Sequence, residues 1–304
     1  RTFSFGARRP NPVENFAENF ETVTRRVMDP IALNEATVTL VSGYSGIVGA
    51  GIVSALLSQT RTTVVAVVRL PDGDQQEQER GAPHERLLIV PGIAADGSMD
   101  GLPDAIGRAI GGRKISHVVS CFGGRAPGKL LSSMDDGDVL ASATRSLPHL
   151  RLLKAVTPLV DVGGENHPTW VFITGMLGER CFLPEKLTGM TLSNSLLYGM
   201  IVAFRAELSQ AVGNAIRVLE LRIGSMLHKP RGPGDDQRVG SGHPAMPASM
   251  KMKSFSSELV GRLLVDSIEK AGKRGAAGSA ADVVRLTDAE FERAQQVYDM
   301  QCKR

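Results

Sequence analysis

The residues best suited to chemistry sit in one short turn. Gly43-Tyr44-Ser45-Gly46-Ile47-Val48-Gly49 follows an apolar run at 38–41 and leads into another at 47–57. Three glycines spaced by three let a backbone approach a group that side chains would block. A helix starting there adds oriented N–H groups and a partial positive charge. A pyrophosphate fits that description, with Gly43, Ser45, Gly46, Ile47 and Gly49 as the binding residues. The plainer alternative is that the glycines serve only close strand–helix packing. Arg69 lies near the end of the next apolar run, TTVVAVVRL at 62–70. An acid near that point would bind a ribose 2′-OH, whereas a guanidinium suits a 2′-phosphate through paired charge-assisted bonds. NADP(H) is therefore favoured over NAD(H). The alternatives are a solvated surface arginine and a scaffold that holds no nucleotide.

Such a turn works only if a strand feeds it and a helix leaves it. The pattern over 37–286 alternates in that way. Apolar, β-branched runs at 38–41, 62–70, 86–90, 115–120, 170–174, 215–223 and 282–286 read as strands. Helical patterns over 47–57, 102–110, 139–159, about 192–212 and 256–271 separate them, and a last helix ends the chain. Strands and helices alternating with crossovers of this length imply an α/β fold with a doubly wound parallel sheet flanked by helices. The polar segment 71–84 and the Gly/Pro/Ser-rich segment 227–253 read as loops. Ahead of the domain, Asn11-Pro12-Val13-Glu14 is a helix start, and Val13, Phe16, Phe20, Val23 and Val27 form an apolar stripe. That helix packs on its own domain or docks on a partner subunit. The expected division is an extension at 1–36 and an NAD(P)-binding Rossmann domain at 37–304.

Several motifs now carry a resemblance. SCFG at 120–123 follows the fourth strand, IRVLELRIGSM spans 216–226, and SNSLLYGMIVAFRAEL spans 193–208. With the glycine turn, they resemble the short-chain dehydrogenase/reductase superfamily over 37–286. The resemblance implies a Rossmann-type fold and adds Cys121, Phe122, Gly123, Thr174 and Gly224 to the cofactor-binding set. In that family a tyrosine protonates the substrate carbonyl, and a lysine four residues later lowers its pKa and binds the nicotinamide ribose. The ungapped match ending in Ala206-Glu207-Leu208 puts those two positions on Met190 and Asn194. Methionine has no exchangeable proton and a carboxamide has no charge. The family's serine falls near Thr174 or Gly175 and its helix-four asparagine near Arg145, so no catalytic residue is assigned. Losing a general acid removes a factor of about 10²–10⁴, so standard carbonyl reduction is expected to be nearly silent. Tyr198 is the one candidate replacement acid, but position 202, where its lysine would stand, is valine.

Composition narrows the remaining possibilities. The 304 residues are 42% hydrophobic and 22% charged, enough to bury a sizeable core, and the net charge is +3 with basic residues dispersed. Nucleic acid is not expected as a partner. Cys121, Cys181 and Cys302 form no disulfide or zinc pattern, and the six histidines have no metal-ligand spacing. The uncharged stretch 38–59 is broken by glycines, so no transmembrane segment is expected there. The opening run RTFSFGARRPNP has three arginines and no acid, the bias of an organellar transit sequence. The expectation is an organelle, mitochondrial ahead of plastid, and otherwise the cytoplasm. The leading functional expectation is a nucleotide-binding but catalytically silent subunit, structural or redox-sensing, of a larger assembly. Its other subunits would contact the N-terminal helix and the helices of the fourth and fifth crossovers. The runner-up is an active NADP(H)-dependent oxidoreductase with atypical catalytic residues.

Overall fold

The computed structural model describes residues 33–69, 84–94, 98–123, 126, 128–163, 168–179, 181, 184–212, 215–228, 254–273 and 283–302. The expected helix at 12–29 and most of the two expected loops lie outside them. Strands β1 (Val38–Ser42), β2 (Thr63–Arg69), β3 (Leu87–Ile93), β4 (His117–Ser120), β5 (Thr169–Gly175), β6 (Arg217–Ile223) and β9 (Val283–Leu286) form one sheet in the order β3-β2-β1-β4-β5-β6-β9. Every pairing in it is parallel. A short parallel pair, β7 (Met226–His228) and β8 (Ser254–Ser256), stands apart; the sequence reading does not include it.

The helices are α1 (Ile47–Gln59), α2 (Leu102–Ala109), α3 (Asp136–Thr144), α4 (Leu147–Val156), α5 (Pro184–Val212), α6 (Ser257–Lys273) and α7 (Asp288–Cys302). Side chains alternate across each strand, so the sheet buries two faces. On one, Leu40, Val65, Val118, Trp170, Phe172 and Val218 pack with residues of α2, α4 and α5. On the other, Val41, Val64, Val119, Val171, Leu219 and Leu221 pack with residues of α1, α6 and α7. From β1 the chain steps outward to β2 and β3, then crosses back over β1 to β4 on its other side, so the strand order reverses between β1 and β4. The crevice at the carboxyl ends of β1 and β4 is where such sheets bind ligands.

Two helices differ from the expected pattern. The single run over 139–159 is broken at Arg145 and Ser146. Pro148 lies at the start of α4, where it cannot donate to position 144 and its ring clashes with the carbonyl there. Buried Ser146 turns inward, its hydroxyl donating to the Ser193 carbonyl at 2.9 Å. Helix α5 begins at Pro184, eight residues before the expected start near 192. Thr188, Gly189 and Thr191 are weak helix formers, and the burial of Thr188 and Gly189 overrides their propensity. By length and composition α5 is apolar enough to cross a membrane; here Leu197, Ile201, Phe204 and Leu208 serve as the sheet's cover.

Candidate functional site

The glycine turn leaves β1 and enters α1. Gly43 has φ of 74°, a region costly for residues with a β-carbon. An added Cβ would lie 2.1 Å from the Cys121 carbonyl oxygen, and one on Gly49 would lie 2.2 Å from the Gly43 carbonyl oxygen. Gly46 donates its N–H to that same Gly43 oxygen at 3.0 Å. The ends of β1 and β4 are stitched by Ser42, whose hydroxyl accepts from Cys121 N at 3.1 Å and donates to Val119 O at 3.3 Å. Ser45, Gly46 and Ile47 are exposed at the tip. Helix α1 has no side-chain cap on its first turn and no acid in it. An exposed, glycine-walled helix start without a competing carboxylate suits a pyrophosphate. Arg69 stands exposed at the end of β2, the strand beside β1.

Beyond β4, Cys121 is half-buried, and desolvation pushes its thiol up to about 12, so it is a neutral, apolar wall at ordinary pH. Phe122 meets the His149 ring edge-on at 5.2 Å, and Gly123 is exposed. His149 is buried, with Nδ1 hydrogen-bonded to the Ser120 hydroxyl at 2.8 Å, and burial lowers its pKa to about 4. The turn and Cys121 thus meet at the crevice, while Phe122 packs toward the core on His149.

Of the positions that the resemblance marks as catalytic, Thr174, Gly175, Met190 and Asn194 lie around the end of β5 and bond to one another or to Glu220. Asn194 accepts from Gly175 N at 2.9 Å and donates to Met190 O at 2.9 Å. One turn on, the Tyr198 hydroxyl donates to Gly175 O at 2.5 Å, and burial pushes the phenol up to about 12. Ser195 donates to Gly178 O at 3.2 Å. Three side chains of α5 therefore clamp the backbone of 175–178. Met190 is half-buried on the same helix, one turn before Asn194. Arg145 caps α3 at the helix break, its pKa lowered by burial. Gly224 donates to Leu286 O at 2.9 Å and passes under Met176, whose sulfur would lie 2.4 Å from an added Cβ. Thr174 is 5% exposed; its hydroxyl donates to Glu220 at 3.0 Å and also lies within hydrogen-bonding reach of the Tyr198 hydroxyl.

Glu220 opens a network that the sequence reading passes over. Its carboxylate, 1% exposed, takes two bonds from Arg222, from Nε at 2.7 Å and from Nη2 at 2.9 Å. Arg222 also donates to Glu179 at 2.5 Å and lies 3.8 Å over the Tyr198 ring, while Arg285 donates to Glu179 at 2.9 Å. Glu220 holds the Arg222 guanidinium ever more firmly protonated, and Arg222 holds the Glu179 carboxyl below its usual range. The signal was present in the alternation of Glu220 and Arg222 along an apolar strand, which puts both on one face. Among the described residues no group of three or more His, Cys, Asp or Glu could hold a metal.

A scan against protein-family models and a search of curated proteins each found no match. Solved structures do match. A short-chain dehydrogenase from Burkholderia cenocepacia in complex with NADP is 19% identical, with a TM-score of 0.53 over 88% of this chain and 96% of that one. A carbonyl reductase from Pseudomonas aeruginosa, also in complex with NADP, is 17% identical at 0.54, over 84% and 97%. The MalC reductase/Diels-Alderase from Malbranchea aurantiaca is 13% identical at 0.58, over 86% and 97%. Sheet order, glycine turn and these likenesses agree: the fold of this chain is that of the short-chain dehydrogenases and reductases.

Proposed function

We propose that this protein binds NADP(H) at the glycine turn without reducing carbonyls, as a non-catalytic subunit of a larger assembly. One observation carries the reading: the position that a lysine holds in the resembled family is Asn194, with its carboxamide bonded at both ends inside the protein. No ammonium is there to lower a phenol's pKa, and Met190 offers no proton. The NADP complexes of two structural neighbours, together with exposed Arg69, support the choice of nucleotide. Exposed Leu140 on α3 and Leu196 and Val202 on α5 suit coverage by other subunits.

The test pairs calorimetric binding of NADPH with its oxidation over a panel of aldehydes and ketones. Micromolar binding with turnover at least about 10²-fold below ordinary reductases is expected. Native gels of the endogenous protein are expected to show additional chains. A lone monomer or homodimer in those gels counts against the subunit role.

An active reductase with an unusual acid is the second reading. It draws on the dehydrogenases and reductases among the structural neighbours and on the Tyr198 hydroxyl at the end of β5. Brisk turnover lost in Tyr198→Phe would establish it over the first.

A further inference from the structure

The two halves of the crevice treat a dinucleotide unequally. In a doubly wound sheet the pyrophosphate sits at the glycine turn, one nucleoside lies over β1–β3, and the other lies toward the ends of β4–β6. Over the first half, the described residues that can recognise a ligand are open to solvent: Ser45, Gly46 and Ile47 at the helix start, and Arg69 beyond them. Over the second half, they are consumed by the protein itself. The Thr174 hydroxyl is given to Glu220, the Gly175 N–H to Asn194, and the Tyr198 hydroxyl to Gly175 O. The Gly224 N–H goes to Leu286 O, and the Arg222 guanidinium is divided between Glu220 and Glu179. A donor already satisfied inside the protein gives a ligand nothing unless its existing bond is broken.

Charge leads to the same conclusion. The oxidised nicotinamide ring is a cation and the reduced ring is neutral, so a site that leaves the ring to solvent and supplies no net charge gives neither form an advantage. Here Glu220 and Glu179 are paired with Arg222 and Arg285, two acids against two bases. Among the described residues nearby, the Met176 thioether over Gly224 and the neutral Cys121 thiol add no charge.

We infer that this site recognises the 2′-phosphorylated adenosine diphosphate part of a dinucleotide and is indifferent to the nicotinamide ring and to its oxidation state. The inference rests on the nucleotide reading above and narrows it, since a protein built this way does not report the NADP⁺/NADPH ratio. Spent polar groups at the end of β5 thus leave half of the ligand without a partner among the described residues.

Calorimetric titration of the full-length protein with 2′-phospho-ADP-ribose, NADP⁺, NADPH and nicotinamide mononucleotide tests it. The first three are expected to bind with dissociation constants within about fivefold of one another, and the mononucleotide not at all. Arg69→Ala should weaken all three by the same factor, because they share the 2′-phosphate. A dinucleotide that binds more than about fivefold tighter than 2′-phospho-ADP-ribose, or oxidised and reduced forms that differ by as much, overturns this inference while leaving nucleotide binding intact. If none of the three binds, the nucleotide reading itself falls, and this inference with it.

Discussion

One β-carbon at position 43 would land 2.1 Å from a carbonyl oxygen of the neighbouring strand's loop, in a backbone region with φ of 74°. Neither problem can relax without separating the ends of β1 and β4. Gly43→Ala is therefore expected to cost about 3 kcal/mol of stability and to remove nucleotide binding. Gly107 makes the opposite case. It lies inside α2, and its added Cβ would meet nothing within 4 Å. Gly107→Ala should stabilise by about 0.5–1 kcal/mol. Urea unfolding of the two variants checks both signs; a Gly43→Ala protein as stable as the parent would refute the close approach. The glycine turn was legible in the sequence because its requirement is local: strand, turn and helix are contiguous. The role of Thr174 was not, since its hydroxyl is claimed by Glu220, 46 residues away across the sheet.

At the scale of elements, the crossing of α1 and α6 is set by two glycines. An added Cβ on Gly261 would lie 2.5 Å from the Ala55 Cβ and 2.7 Å from the Gly51 carbonyl oxygen, and one on Gly51 would meet the Ser257 backbone. The two helices approach until backbones touch. Gly261→Ala gains helix propensity, yet it must wedge them apart, so a net loss of about 1–3 kcal/mol is expected. A melting temperature at or above the parent's would show that the crossing tolerates a side chain. Element type was readable for the main sheet and its covering helices because period-2 and period-3.6 patterns are strong there; the three-residue strands β7 and β8 are too short to carry a period. Element ends were less so. Pro148 divided one expected helix into α3 and α4, and packing drew α5 back to Pro184 over residues that propensity alone disfavours. That backward extension puts Met190 and Asn194 on one continuous helix, with their spacing of four residues joined by the Asn194 Nδ2 bond to Met190 O.

For the whole molecule, two buried histidines make stability depend on pH. His117 and His149 are lowered by burial from the usual 6.5 to about 4. In the folded chain both stay neutral, while in the unfolded chain both take up a proton below about pH 6.5. The unfolded state therefore binds more protons as pH falls. Stability is complete above that value and is lost between about 6.5 and 4. Each histidine contributes on the order of 3 kcal/mol at the lower limit. Urea midpoints measured from pH 7.5 to 4.5 should fall accordingly, and His149→Gln should flatten part of the slope. A midpoint constant down to pH 5 would exclude this account.

The amino-acid sequence alone determined the layers, the parallel sheet and the glycine turn. These follow from periodicities and spacings within a few dozen residues. Only the tertiary structure decided what the polar groups around positions 190 and 194 bind. Asn194 and Tyr198 come from α5, Thr174 from β5 and Arg222 from β6, and their distant partners Gly175, Glu220 and Glu179 reach them only after those elements are packed. A hydrogen bond between distant segments leaves no periodic trace in a chain. Whether a polar side chain faces a ligand or another part of the protein is therefore settled by folding.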